Sequence, residues 1–319
     1  ASSEHTGLAR EVARQSIVLL KNKDKLLPLK KDIRTLAVIG PNADNVYNML
    51  GDYTAPQADG TVVTVLDGIR QKGSKETRVL YAKGCAVRDS SRTGFKDAIE
   101  TARNADAVVM VMGGSSARDF SSEYEETGAA KVTINQISDM ESGEGYDRAT
   151  LHLMGRQLEL LEEISRLGKP VVLVLIKGRP LLMEGAIQEA EAIVDAWYPG
   201  MQGGNAVADV LFGDYNPAGR LTLSVPRSVG QLPVYYNTRR KGNRSRYIEE
   251  PGTPRYPFGY GLSYTTFSYT DMKVQVTEGS DDCRVDVTVT IQNQGTADGD
   301  EVAQLYFRDD VSSFTTPAK

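Results

Sequence analysis

Residues 141–148 read ESGEGYDR, and these eight positions hold three carboxylates, two glycines and one arginine. Glu141, Glu144 and Asp147 recur every third residue, a spacing that would line one face of a helix. Gly143 and Gly145 speak against a helix, because each costs about 1 kcal/mol in a helix interior relative to alanine. The stretch reads as a loop. A carboxyl carried on such a loop suits general acid and base work, since burial and neighbouring charge set which form it holds near neutral pH. On composition alone, a solvated acidic loop is the simpler account.

Little else in the chain offers chemistry. Only His5 and His152 are present, so a histidine triad or histidine-rich metal site has little to work with, and both read as solvated or packing side chains. Cys85 and Cys283 lie far apart, which argues against a disulfide framework and against a zinc site. The glycine-rich GMQGGN at 200–205 fits neither dinucleotide nor P-loop spacing and reads as a tight strand-to-helix turn. No cofactor and no metal are expected. The net charge is −5 with Lys and Arg scattered, which leaves no electrostatic footprint for nucleic acid. No apolar run approaches the roughly 20 residues of a membrane span. No signal peptide is present, an absence that a trimmed chain would explain. The Asn243-Arg244-Ser245 sequon carries no weight, because such tripeptides are common by chance.

The elements that must position the acidic loop follow a regular rhythm. With 319 residues, 40% of them hydrophobic and 25% charged, the chain has room for two domains, or one large and one small. Residues 7–22 predict a helix passing into an extended segment, and TLAVIGPNAD (35–44) predicts an apolar strand that ends in a turn. Helices are predicted from 63–71, 95–105, 151–168 (closed by Gly168), 186 onward and 203–214. Apolar strands are predicted at 78–85, 106–114, 170–176 and just before AWYPG. Such alternation indicates an α/β fold, a mostly parallel sheet with helices on both faces. Loops at the C-terminal ends of such strands meet ligands, and ESGEGYDR follows the 106–114 strand. The 115–140 connection is long enough to predict a functional or disordered loop.

After residue 230 the pattern changes. Residues 231–267 are rich in Pro, Gly, Tyr and Arg and read as an extended connection tied down by aromatic side chains. From 267 to 310 apolar and polar residues alternate between turn signals, which predicts strands at 267–276, 283–295 and 300–310 of an incomplete β-sandwich.

Taken in order, SIVLLKN…LLPL, VIGPNAD, ESGEGYDR, AWYPGMQGGNAVADVLFGDYNPAGRL and YPFGYGLSYTTF give the chain a family likeness. From about residue 8 onward the sequence resembles glycoside hydrolase family 3, whose members include β-glucosidases and β-xylosidases. The resemblance implies residues 1–32 as a lead-in segment and 33–235 as the family's C-terminal-type α/β domain. It implies 236–265 as the connection and 266–319 as part of a fibronectin type III-like domain. It further implies a (β/α)8 barrel, absent from this sequence, that carries the nucleophilic aspartate in a Ser-Asp-Trp-type motif. The one tryptophan here is Trp197, and Ser138-Asp139 is followed by Met140, so no nucleophile is assigned.

By the same resemblance Glu144 is the general acid/base, with Glu141 as the alternative. Retaining glycosidases place two carboxylates about 5–5.5 Å apart, one attacking the anomeric carbon and one protonating the leaving oxygen. Glu141 and Asp147 supply like charge near Glu144, and Arg148 can anchor one of them. Asp147 and Arg148 read as structural, an ion pair at the loop's foot. Tyr53, after Gly51-Asp52, is a candidate for stacking on a sugar face, with an exposed loop tyrosine as the plain alternative. The implied partner is an oligosaccharide or glycoside, together with the barrel; no nucleic acid or membrane is expected. The implied location is periplasmic or secreted, with a cytoplasmic one left open. A non-catalytic carbohydrate-binding module is the rival reading, β-xylosidase specificity is a variant of the first, and a nucleotide binder lacks any phosphate motif.

Overall fold

In a computed structural model, the described residues are 2–117, 126–127, 139–182, 184–237, 247–278 and 283–307. The elements run α1 (Ser3–Ser16), β1 (Val18–Asn22), β2 (Thr35–Ile39), α2 (Val65–Lys72), β3 (Arg78–Ala82), α3 (Phe95–Arg103) and β4 (Ala107–Gly113). They continue α4 (Gln157–Ser165), β5 (Val171–Ile176), α5 (Glu184–Glu189), β6 (Ala192–Trp197), α6 (Gly203–Leu211), β7 (Phe267–Glu278) and β8 (Cys283–Asn293). The first six strands form one sheet in the order β1-β6-β5-β4-β2-β3. All neighbours are parallel except β1, which pairs antiparallel with β6 at the edge.

The strands are apolar throughout because both faces are covered. Side chains alternate across a strand, so Leu36 and Val38, Val109 and Val111, and Val172 and Val174 face one buried cluster with α1, α2 and α6. Ala37 and Ile39, Val108 and Met110, and Val171 and Leu173 face a second cluster with α3, α4 and α5. Fully burying one such side chain contributes about 1.5–3 kcal/mol. The glycines of GMQGGN serve this packing. A Cβ on Gly68 of α2 would lie 2.1 Å from the Gly204 carbonyl oxygen, and one on Gly204 1.9 Å from that of Thr64. The two helices touch backbone to backbone, a close approach that a reading of 200–205 as a turn leaves out.

One predicted helix is shortened. The spacing of Leu151, Leu153 and Met154 predicts a helix from 151, yet α4 starts only at Gln157. Gly155 adopts φ +62°, and its missing Cβ leaves room for the carbonyls of Asp89 and Val87. His152 therefore sits in an exposed bend rather than a helix start.

The tyrosine-rich connection is tied down as its composition predicts. Tyr256 is buried in the second cluster, Tyr260 donates its hydroxyl to the Leu20 carbonyl (3.2 Å), and Tyr264 donates to that of Val210 (2.7 Å). β7 and β8 form a separate two-stranded antiparallel sheet. The third strand predicted at 300–310 is not formed over residues 300–307. Those residues are fixed instead through Glu301, which takes Arg220 Nη2 at 2.7 Å and the Tyr269 hydroxyl at 2.6 Å. Most of the 115–140 loop and the 243–245 sequon lie outside the described residues.

Candidate active site

The loops that leave β2, β4, β5 and β6 at their C-terminal ends are bound together by buried polar groups. Asn42 Nδ2 donates to the carbonyls of Gly114 (3.0 Å) and Ile176 (3.2 Å). Asn48 Nδ2 donates to Asn42 Oδ1 (2.7 Å), and Ser115 Oγ donates to Asn48 Oδ1 (2.6 Å). Each buried group left unsatisfied would cost about 1–3 kcal/mol, so the set clamps the loop after β2 to the loop after β4. The carbonyl of Ser115 then receives the acidic loop, accepting the amides of Glu141 (2.8 Å) and Ser142 (3.3 Å).

The two glutamates of that loop sit in opposite surroundings. Glu141 has a fully buried side chain, and its Oε2 accepts Arg148 Nη1 at 2.5 Å. Arg148, 5% exposed, also donates to the His152 carbonyl. Asp147 is exposed, accepts the Arg148 amide at 2.7 Å and lies 3.9 Å from Arg179 Nη1. The ion pair at the loop's foot is thus made by Arg148 with Glu141, and Asp147 stays outside it.

Glu144 is exposed, and two neighbours from the loop after β2 hold it. Gly143 adopts φ +110°, and a Cβ there would lie 2.8 Å from Asp52 Oδ2 and 2.7 Å from Met140 Cε. Glycine therefore lets the loop pass against Asp52, whose Oδ2 accepts the Glu144 amide at 3.1 Å. The Tyr53 hydroxyl donates to Glu144 Oε2 at 2.8 Å. Tyr53 itself adopts φ +57°, with its amide donating to Asp52 Oδ1 at 2.8 Å. The two residues singled out in the sequence, Glu144 and Tyr53, are brought into contact.

Three other residues of the site, Tyr198, Lys177 and Asp195, were not singled out in the sequence. Ser142 Oγ lies 3.3 Å from the hydroxyl of Tyr198, which follows β6. Lys177 and Asp195, both buried, pair at 2.6 Å at the ends of β5 and β6. A signal existed for the last two: each places a full charge in or beside an apolar run, VVLVLIK and AIVDAW. Cys85, also buried, is no nucleophile near neutral pH. Burial, and after it the charge of Asp139, pushes its thiol up to about 12. Among the described residues no group of three or more His, Cys, Asp or Glu side chains gathers as a metal site. None of the described helices is long and apolar enough to cross a membrane.

Residues 17–264 match the profile of the glycosyl hydrolase family 3 C-terminal domain. Over 98% of its length the chain is 42% identical to a protein of Formosa agariphila named beta-xylosidase, covering 41% of that protein. Over 99% it is 39% identical to a protein of Salmonella typhimurium named periplasmic beta-glucosidase, covering 42% of it. Among solved structures, a β-glucosidase from Erythrobacter marinus superposes with a TM-score of 0.81 at 37% identity, over 99% of this chain and 42% of that one. A β-glucosidase from Listeria innocua in complex with isofagomine superposes with a TM-score of 0.82 at 31% identity, with the same coverage. The chain thus spans less than half the length of each of these relatives.

Proposed function

This chain belongs to glycoside hydrolase family 3, and from that premise we propose that it carries the general acid/base, Glu144, of a retaining β-glycosidase acting on terminal β-linked sugars. The observation behind the assignment is the contrast between the two glutamates. Glu141 is committed to a buried ion pair with Arg148, whereas Glu144 is presented at the sheet's C-terminal edge with its backbone held by Asp52 and its carboxylate by Tyr53. A buried, paired carboxylate holds structure; an exposed, oriented one can reach a substrate.

The proposed reaction takes two steps. A nucleophilic carboxylate, assigned by the family resemblance to a (β/α)8 barrel beyond these residues, attacks the anomeric carbon. The glycosidic C–O bond breaks as the Glu144 carboxyl gives its proton to the leaving oxygen. The Glu144 carboxylate then takes a proton from water, which attacks the anomeric carbon and frees the nucleophile. A general acid works best protonated near the operating pH, which burial favours. This chain leaves Glu144 exposed, so the burial must come from the substrate and the surface that closes over it.

β-Glucoside and β-xyloside specificity both stand, because the two relatives above carry one name each. The name of the Salmonella relative supports a periplasmic or secreted location. The test uses the enzyme that carries this chain, assayed on aryl β-glucosides and aryl β-xylosides. Glu144→Gln should slow substrates with poor leaving groups far more than activated ones, whose leaving group departs without a proton, and azide should rescue turnover. If Glu141→Gln shows this pattern and Glu144→Gln does not, the assignment is wrong. If neither does, the rival reading as a non-catalytic binding module gains.

A further inference from the structure

Tyr198 stands between the two loops that hold Glu144. A Cβ on Gly51 would lie 2.9 Å from the Tyr198 ring atom Cδ2, and a Cβ on Gly178 would lie 2.5 Å from Cε2. The ring is therefore gripped between two backbones that come close only because both residues are glycine. Gly51 directly precedes Asp52, which accepts the Glu144 amide. On the other side the Tyr198 hydroxyl lies 3.3 Å from Ser142 Oγ, two residues before Glu144. Tyr198 thus meets both arms of the cradle at once.

Its own placement is set from below. The preceding residue, Trp197, adopts φ +54°, a left-handed conformation that is an outlier for a bulky side chain. The register of β5 against β6 shifts there, with Leu175 opposite Asp195 and Ile176 opposite Trp197. The Trp197 amide donates to Asp195 Oδ1 at 3.3 Å, and its carbonyl accepts the Lys177 amide at 3.0 Å. Lys177 Nζ pairs with Asp195 Oδ2 at 2.6 Å and lies 3.9 Å from the centroid of the Trp197 ring. Backbone strain of this kind persists only where the surroundings over-determine it. Here a buried ion pair, a cation–π contact and two hydrogen bonds converge on one residue, and the turn they fix aims Tyr198 into the cradle.

We infer that Tyr198 is a positioning residue for Glu144, held in place by the buried Lys177–Asp195 pair through Trp197. The inference rests on the reading of Glu144 as the acid/base. Displacing a positioned group by about 1 Å can cost up to about 100-fold in rate. Tyr198 reaches Glu144 through Gly51 and Ser142, so its effect should be confined to the steps that use Glu144.

The experiment compares Tyr198→Ala, Tyr198→Phe and Gly178→Ala in the enzyme that carries this chain. Gly178 does not occupy the left-handed region, so alanine is tolerated by the backbone there and acts by pushing the ring. Tyr198→Ala and Gly178→Ala should each lower kcat on poor leaving groups by about 10- to 100-fold. Activated aryl glycosides should change by less than about 3-fold in kcat/KM. Tyr198→Phe, which keeps the gripped ring but removes the hydroxyl beside Ser142 Oγ, should fall between the parent and Tyr198→Ala on poor leaving groups. Placed on top of Glu144→Gln, Tyr198→Ala should add almost nothing, since a positioning residue has no role once the group it positions is gone. Equal loss on all leaving groups, or full additivity with Glu144→Gln, overturns the inference while leaving the acid/base assignment intact. If Glu144→Gln itself shows no dependence on the leaving group, both fall. If Tyr198→Ala does not fold, Gly178→Ala decides alone: parent-like rates on poor leaving groups overturn the inference.

Discussion

The hydroxyl of Tyr53 donates to Glu144 Oε2 across 2.8 Å, joining two loops whose residues lie 91 positions apart. A tyrosine expected to stack on a sugar thus meets the proposed acid/base itself. The two roles separate by substitution. Tyr53→Phe keeps the ring and removes the donor, and one such bond is worth about 0.5–1.5 kcal/mol, or roughly 2- to 13-fold in rate. We expect Tyr53→Phe to lower kcat on poor leaving groups by that factor with little change in KM. If stacking were the main role, Tyr53→Phe would be silent and Tyr53→Ala would raise KM.

Glu141 is expected to answer as a structural residue. Its side chain and that of Arg148 are buried together, and breaking a buried pair by removing one partner costs about 3–5 kcal/mol. Glu141→Gln and Arg148→Met should each lower the Tm markedly. Near that transition activity should fall with the folded fraction, alike on all substrates and without azide rescue. The double variant should lose less stability than the two single losses summed, which thermal melts of the four proteins measure.

The sheet was legible in the sequence because its strands are buried on both faces and so read as unbroken apolar runs, such as AVVMVMG and VVLVLI. The antiparallel edge pairing of β1 was not, since an apolar run as short as IVLL says nothing of its partner. The helix start at Gln157 was missed because Leu151, Leu153 and Met154 keep helical spacing while one glycine pressed on neighbouring carbonyls ends it. Within the site, ESGEGYDR was visible as a cluster of acids. Which of them is buried depends on Arg148 folding back over seven residues, a choice that composition does not make. The Lys177–Asp195 pair shows in the sequence only as one charge beside an apolar run and one within another, and neither run says that the two meet.

Acid should loosen the packing of α1 on α6. Asp209 is fully buried and accepts Arg10 Nη2 at 2.6 Å, Arg14 Nε at 2.7 Å and Lys72 Nζ at 2.6 Å. Burial pushes its carboxyl up, but the hydrogen bonds from Arg10, Lys72 and Arg14 outweigh this and hold it at about 2, below its ordinary 3.8. A carboxyl lowered on folding stabilises the fold above its unfolded value, and that share is lost as pH falls through its folded value. The share is about 2 kcal/mol, lost between about pH 4 and pH 2. Asp209→Asn should remove that part of the pH dependence and lower stability at pH 7, because three cations then face a neutral amide. Denaturant unfolding from pH 2 to 7 checks both.

The chain expressed by itself should fold and yet hydrolyse nothing measurable. Its sheet is covered on both faces by its own helices, with two continuous buried clusters, so a single cooperative thermal transition is expected for the α/β unit. The reaction, however, needs a second carboxylate about 5–5.5 Å from Glu144 to attack the anomeric carbon. Glu141 cannot serve, since its side chain is fully buried against Arg148. A general acid alone contributes about 10²–10⁴ in rate, a gain that stays invisible on so slow an uncatalysed reaction. Circular dichroism on heating and an aryl β-glucoside assay on a preparation free of host enzymes test the two halves. Hydrolysis abolished by changing an acid within these residues would overturn a site shared with a barrel and require a nucleophile here.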